Sequence, residues 1–280
     1  MLAGVKSYDK WARKPLFEPR ELAIQRRKRF PVPLTFSIVV PLYNTPERFL
    51  REMLESVQAQ TYREWQLCLA DGSDDEVDRS RIVGEYAAHD TRIAYKRLAY
   101  NGGIAENTNA ALAMAEGEYV ALLDHDDILH PAALYEVRRV IAGQGADFIY
   151  TDEAVFASPR LKSVFSIHFK PDFAPDNLLA NNYICHFTAV SRKLLHEAGN
   201  FRSAYDGSQD HELFLRLTAK AKRIVHLPEV LYYWRAHPLS NAMGNVKNYA
   251  GPAGVRAVRD FLAASGQEAE VEVLPQCPTM

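Results

Sequence analysis

The chain has 280 residues, 48 % of them apolar and 24 % charged, with a formal net charge of −2. That length allows one large α/β domain or two small ones, and the charge gives no general attraction to nucleic acid. The three cysteines, Cys68, Cys185 and Cys277, are scattered without metal-ligand spacing and read as reduced thiols, and no apolar run approaches the ~20 residues of a membrane span. The expected location is cytoplasmic, at most peripheral to the inner face of the membrane.

Residues 1–34 stand apart, with nine Lys or Arg against three Asp or Glu and a cluster at Arg26-Arg27-Lys28-Arg29. Glu18 to Arg29 can form a short basic helix on which Leu22 and Ile24 make a thin apolar face. Such an arm suits an anionic membrane surface or a partner, or a solvated segment packed on the main domain. Thr35 to Val40 is a first strand, rich in β-branched residues, left through Pro41-Leu42-Tyr43-Asn44. Thr45-Pro46 reads as the N-cap and first-turn proline of a helix that puts Phe49, Leu50, Met53, Leu54 and Val57 on one face. A second strand, Trp65 to Ala70, ends in Asp71-Gly72-Ser73-Asp74-Asp75, and a helix follows to about His89. Ile93 to Leu98 is a third strand. Asn101-Gly102-Gly103 then turns into an Ala-rich helix, Ile104 to Ala115.

Tyr119 to Leu123 is a continuous apolar run, suited to a strand buried on both faces. It runs into Asp124-His125-Asp126-Asp127, three carboxylates within four residues. Carboxylates so close repel one another, and a hard divalent cation would remove that cost. A solvated acidic turn capping the helix that Pro131 opens is the alternative. That helix is expected from Pro131 to Ile141, and a strand from Asp147 to Tyr150 that ends in Thr151-Asp152-Glu153. Residues 154–183, with Pro159, Pro171 and Pro175, read as an irregular functional loop. Tyr183 to Val190 is a strand, Arg192 to Ala198 a short helix, and Gln209 to Lys220 a helix with Leu213, Phe214 and Leu217 inward. Strands at Arg223 to Leu227 and Val230 to Trp234 lead into Arg235-Ala236-His237-Pro238, and a last helix spans about Gly251 to Ala264. The alternation in the first half predicts an α/β fold with its strand-end loops on one edge.

Six motifs occur in register: VVPLYN (Val39 to Asn44), DGSDD (Asp71 to Asp75), NGG (Asn101 to Gly103), GEYVALLDHDD (Gly117 to Asp127), GSQDHELFLRL (Gly207 to Leu217) and YYWRAHP (Tyr232 to Pro238). Together they resemble an inverting family 2 glycosyltransferase of GT-A fold, of the bacterial O-antigen and capsule type. The resemblance implies a Rossmann-like, mixed and mostly parallel sheet flanked by helices. It divides the chain into an arm (1–34), one transferase domain (35–265) and a tail (266–280). Within the domain, the nucleotide-sugar half would be 35–127 and the acceptor and catalytic half 128–265.

The resemblance also implies roles. Tyr43 would stack on the nucleobase, in the turn that also holds Pro41 and Asn44, and Asp71 would accept from the base N–H or else cap the next helix. Asn101, Gly103 and Asn109 would line the donor, glycine letting the backbone approach closely. Asp124 would bind the ribose or a metal-bound water, with His125 beside it, Asp126 would be the main metal ligand, and His237 would complete the metal shell. Asp127 would cap the helix opening at Pro131. Asp210 would be the base that deprotonates the acceptor hydroxyl, with Glu212 its nearest rival. Thr108 stands where an arginine is expected, so either another cation, Arg235 or Lys170, would serve the phosphates or donor affinity would be weak. Trp234, Arg235, His186 and the Lys170-Pro171-Asp172 loop are candidates for the acceptor side. The implied cofactors are Mn²⁺ or Mg²⁺ and a UDP- or dTDP-sugar. The implied partners are a glycan or lipid-linked acceptor and a second transferase module or homo-oligomer, with no nucleic acid. Two alternatives stay open: a catalytically degenerate domain acting as a scaffold, and a nucleotidyltransferase. The latter would want a Gly-rich phosphate loop after the first strand, which Pro41 to Asn44 is not.

Overall fold

The computed structural model describes residues 16–74, 76–157, 164–237 and 250–273. Asp75, Pro159, Pro238 and Cys277 lie outside them. The elements in order are α1 (Pro19–Arg27), β1 (Phe36–Leu42), α2 (Glu47–Gln58), β2 (Trp65–Asp71), α3 (Arg79–Ala87), β3 (Ile93–Arg97), α4 (Ile104–Leu112), β4 (Tyr119–Leu122) and β5 (Ile128–Leu129). They continue with α5 (Ala133–Gln144), β6 (Phe148–Phe156), β7 (Val164–His168), α6 (Pro175–Ala180), β8 (Thr188–Ser191), α7 (Arg192–Ala198), α8 (Gln209–Lys220), β9 (Ile224–Arg235) and α9 (Ala250–Ala264).

Among the described residues nine strands form one mixed sheet in the order β3-β2-β1-β4-β8-β6-β9-β5, with β7 on β6. β1 pairs in parallel with β2 on one side and β4 on the other. The chain therefore winds outward from β1 to β3 and then reverses to β4, and the crevice above that reversal is where open α/β sheets take ligands. β4 pairs with β1 only as far as Val39, so Pro41, which has no N–H to donate, follows the last shared pair. The apolar face of α2 is buried as its spacing predicts, with Leu50, Met53, Leu54 and Val57 all inaccessible. Each such side chain contributes about 1.5–3 kcal/mol by leaving water.

Several expectations need correction. The stretch 154–183 is not one irregular loop, because β6 runs on to Phe156 and β7 and α6 follow. Asp152 and Glu153 looked like a strand end, yet both are buried inside β6. The two strands expected after Arg223 are one strand, β9, whose register slips opposite Thr151–Glu153. Pro228 interrupts the apolar pattern there, and the irregularity absorbs it without ending the strand. α5 starts at Ala133 and continues to Gln144, stopped by the left-handed Gly145 (φ 64°). Thr45 does not cap α2: Pro46 is its N-cap residue and the Thr45 hydroxyl is buried without a hydrogen bond among the described residues.

The described part of the arm is packed on the domain. Gln25 donates to Glu136 (2.9 Å) and accepts from Thr61 (2.8 Å), while Phe30 lies against Tyr62 and Tyr135 under Arg138.

Candidate active site

Three strand ends, β1, β2 and β4, meet above the reversal. The turn after β1 holds Asn44 at φ 48°, a left-handed conformation that asparagine tolerates. Its amide clasps Asp74, donating to the carboxylate (2.7 Å) and accepting from the backbone N–H (3.1 Å). Tyr43, part exposed, donates to the same carboxylate (3.0 Å). Asp71, at the end of β2, is fully buried and accepts from Ser73 N–H (2.9 Å), Tyr95 (2.7 Å) and Arg97 (2.9 Å). Burial pushes its pKa up, but these bonds outweigh burial and hold it below the usual carboxylate range. Asp71 does not cap the next helix, since Asp78 caps α3 by accepting from Arg81 N–H.

The glycine turn before α4 is tied down as well. Asn101 accepts from Gly103 N–H and from Asn107. Gly103 sits at φ 89°, and a Cβ there would come within 2.3 Å of Asp206 Oδ2. Asp206 in turn accepts from Ala105 N–H at the start of α4 (3.2 Å). Asn109 is not directed to this crevice: its amide pairs both ways with the Phe201 backbone. Thr108 bonds back to Ile104 within α4.

Past β4 the acidic run divides its work. Asp124, part exposed, lies 3.3 Å from His186 Nε2. Asp126 Oδ2 lies 2.7 Å from His237 Nε2. Burial would raise the Asp126 pKa, but His125 and His237 hold it below the ordinary value. The buried His125 Nδ1 has no hydrogen bond among the described residues and faces Asp126 at 3.8 Å. Asp127 does not cap the Pro131 helix. It is fully buried, takes the Tyr232 hydroxyl and the Arg235 N–H (2.7 Å), and so fastens β4 to β9. Burial, with Asp126 and Asp124 close by, raises its pKa well above the usual range.

The other half of the crevice comes from the segment Asn182 to His186. Asn182 Nδ2 donates to Asp210 Oδ2 (2.8 Å), and His186, at the other end, reaches Asp124. One five-residue stretch thus joins the candidate base on α8 to the acids after β4. His186 stacks on Tyr232 (4.8 Å between centroids) and lies against Trp234, on the side of the crevice that carries Asp124. Burial alone would keep it neutral, but Asp124 and Glu153 flank the ring and raise its pKa well above 6.5. Glu153 also takes Lys170 (3.4 Å) and His168 (3.1 Å). Burial would raise the Glu153 pKa, but the Lys170 charge and the hydrogen bonds to His168 and His186 hold it well below the ordinary value.

Neither proposed phosphate cation is available. Lys170 is buried, bonded to Glu153 and to the carbonyls of Ile184 and His186. Arg235 is buried between the rings of Phe49 and Phe156, pairs with Glu52 (2.7 Å) and donates to the Asp126 carbonyl. Glu212 is no rival base, because it is buried between Arg202 and Arg216. Burial pushes the free thiols of Cys68 and Cys185 up to about 12, which removes both as nucleophiles near neutrality.

Asp126 and His237 could hold a divalent cation: a carboxylate suits Mn²⁺ or Mg²⁺, and an imidazole beside it favours a transition ion such as Mn²⁺ over Mg²⁺. Among the described residues no group of three or more His, Cys, Asp or Glu gathers to hold an ion by protein atoms alone. A two-residue site still fits Mg²⁺-like ions, which keep waters and take further oxygens from substrate phosphates. Asn182, Glu153 and the His186–Asp124 contact escaped the sequence reading. Only Glu153 left a signal there, as one of two adjacent acids, with Asp152, flanked on both sides by strand-forming residues.

Comparison with known proteins bears on the family and the fold. A 41 % identical relative, y4gI of Sinorhizobium fredii, aligns over 86 % of this chain and 27 % of its own length. The O-antigen biosynthesis protein RfbC of Myxococcus xanthus is 35 % identical over 96 % of this chain and 21 % of its own length. The chain therefore spans about a quarter of these two relatives. Among solved structures, S. aureus TarS in complex with UDP-GlcNAc superposes with a TM-score of 0.67 at 19 % identity, over 85 % of this chain and 68 % of that one. The mannosyltransferase PcManGT of Pyrobaculum calidifontis, in complex with GDP-Man and Mn²⁺, gives 0.55 at 16 % identity, over 95 % and 86 %. The sequence profile described as Glycosyl transferase family 2 matches residues 37–199, so this chain, with its GT-A fold, belongs to glycosyl transferase family 2.

Proposed function

We propose that the chain is a metal-dependent inverting glycosyltransferase. It moves a sugar from a UDP- or dTDP-sugar to a hydroxyl of a growing or lipid-linked glycan, in the synthesis of a surface polysaccharide. The observation that carries this reading is the Asn182–His186 segment, which joins Asp210 to Asp124. A base and a nucleotide-binding acid are thereby held on one crevice at the switch point of the sheet.

The roles follow from the contacts. Tyr43 receives the base, with Pro41, Asn44, Asn101 and Gly103 shaping the turns beside it; Asp71, fully buried and bonded to Ser73, Tyr95 and Arg97, braces the end of β2, and Asp124 and His125 face the ribose and diphosphate. Asp126 and His237 would hold the cation, which when bound would supply positive charge beside the leaving diphosphate. Asp210 accepts the proton of the acceptor hydroxyl as that oxygen attacks the anomeric carbon in line and the bond to the diphosphate breaks, which inverts the centre. Asn182 occupies one Asp210 oxygen, and Oδ1 has no hydrogen bond among the described residues.

The basic arm supports a peripheral contact with an anionic membrane. Arg20, Arg26, Arg27, Lys28 and Arg29 are exposed, with Ile24 58 % exposed among them. Among the described residues no helix is long and apolar enough to cross a membrane.

Titration calorimetry with UDP, with and without Mn²⁺, tests the reading alongside transfer by Asp210→Asn. Metal-dependent UDP binding is expected, and Asp210→Asn should keep that binding and lose transfer. Absence of nucleotide binding with either metal would favour a scaffold instead.

A further inference from the structure

Asp210 stands in the first turn of α8, and what aims it comes from elsewhere in the chain. The neighbouring His211 is buried, and burial lowers its pKa so that the ring stays neutral; its Nε2 lies 2.6 Å from the Leu178 carbonyl in α6. α6 is thus pinned to α8, and the chain leaving α6 brings Asn182 to the Asp210 carboxylate. The Asn182 amide is oriented from both sides. Its Oδ1 faces Cys185 N–H (3.5 Å) and its Nδ2 donates to Asp210 (2.8 Å), an assignment that only this orientation of the amide satisfies. The turn that allows it is held in place by Cys185, which sits at φ 35° and donates its thiol to the Asn182 carbonyl (2.8 Å). Buried Lys170 grips the carbonyls on either side of Cys185, those of Ile184 and His186.

We propose that Asn182 is the positioning residue for Asp210: its amide fixes one carboxylate oxygen so that the other faces the acceptor hydroxyl. This deepens the reading above and rests on Asp210 being the base. The same segment ends on Asp124, so the base and the donor acids are set by one backbone path and keep a common alignment.

Two variants separate positioning from mere structure. Asn182→Ala removes both amide contacts. Asn182→Asp keeps the oxygen that faces Cys185 N–H and replaces the donor to Asp210 with a repelling carboxylate. The readout is release of UDP from UDP-GlcNAc with water as acceptor in the presence of Mn²⁺, repeated with a dTDP-sugar and then GDP-mannose. Both variants should lower kcat by about ten- to a hundredfold, the scale of a misaligned reacting group, while donor KM changes less than about twofold. In an Asp210→Asn background, Asn182→Ala should cause no further loss. Wild-type kcat in Asn182→Asp, or full additivity with Asp210→Asn, would overturn the inference. If Asp210→Asn turns over like wild type, or the wild type releases nucleotide from none of the three donors, the fault lies with the underlying reading. An inert Asp210→Asn beside a fully active Asn182→Asp leaves that reading standing and removes only the role of Asn182.

Discussion

His237 Nε2 lies 2.7 Å from Asp126 Oδ2, across a sequence separation of 111 residues. The contact joins the end of β9 to the end of β4, and Asp127 reinforces it by taking the Tyr232 hydroxyl and the Arg235 N–H. The alignment of the pair is therefore built by the sheet and need not wait for a ligand. Asp126→Ala should weaken Mn²⁺-dependent UDP binding by at least roughly tenfold, about 1.4 kcal/mol. His237→Ala should weaken it less, because the carboxylate remains. Calorimetry reads both, and unchanged affinity in Asp126→Ala would remove the cation from this position.

Lys170 is a buried cation, with its side chain 2 % exposed and Glu153 fully enclosed. Breaking such a pair leaves a charge without its partner. Lys170→Met should cost about 3–5 kcal/mol of stability, measured as a lower urea midpoint. Adding Glu153→Gln should restore part of that loss, since the stranded carboxylate is gone. A double variant no more stable than Lys170→Met would show that the cost comes from the backbone carbonyls that Lys170 holds.

Gly103 and Gly84 should respond in opposite directions to alanine. At Gly103 the φ of 89° and the approach of Asp206 Oδ2 both resist a side chain, so Gly103→Ala should cost about 1–3 kcal/mol. Gly84 lies in the middle of α3, exposed, with nothing within 4 Å of its Cβ position. Gly84→Ala should gain about 0.4–1 kcal/mol by restricting the unfolded chain. Thermal melts of the two would settle the contrast, and equal shifts would mean that the Gly103 turn relaxes freely.

Periodicity and turn chemistry made the first half of the chain legible. The strands β1, β2 and β4 are mostly apolar runs, β3 is a half-exposed edge strand, and polar or glycine residues follow where the crevice lies. The acid at 210 and the imidazole at 237 were legible through motif resemblance. Sequence spacing cannot show that a carboxylate is buried with its partners, so Glu153 reads as a strand-end residue and Lys170 as a cation open to phosphates. Asp127 was read as a cap for the same reason, since its partners come from β9, more than a hundred residues away. Asn182 carries no local signal at all, because its meaning arises only when α6 docks on α8.

On its outer side the arm offers charge for which no acid partner lies among the described residues. On α1, Glu18 and Glu21 are engaged with each other's backbone at the helix start, while Arg20, Arg27 and Lys28 point to solvent near Ile24. Replacing Arg20, Arg27 and Lys28 together with glutamate should abolish co-sedimentation with phosphatidylglycerol vesicles at low salt. Phosphatidylcholine vesicles should not retain the wild type. Equal sedimentation of the two proteins with the anionic vesicles would end the membrane reading of this helix.

Glu229 gives a pH-dependent prediction at the irregularity in β9. Burial raises its pKa to about 7, and repulsion from Glu136 adds to this, against a weaker pull from Arg139. Its Oε2 is buried without a hydrogen bond among the described residues, and Arg139 comes only to 3.9 Å from Oε1. A carboxyl whose folded pKa is raised contributes fully to stability only below its unfolded pKa. Its contribution falls as pH rises from about 4.5 through about 7. Glu229→Gln fixes the neutral form, so it should leave stability near that of the wild type at about pH 4.5, where both are neutral. Above pH 7 it should add about 1–2 kcal/mol, less than the full shift implies because the side chain is part exposed. Urea unfolding at several pH values reads the difference. A gain that is the same at every pH would show that Glu229 titrates like a surface carboxylate and that β9 carries no strained charge there.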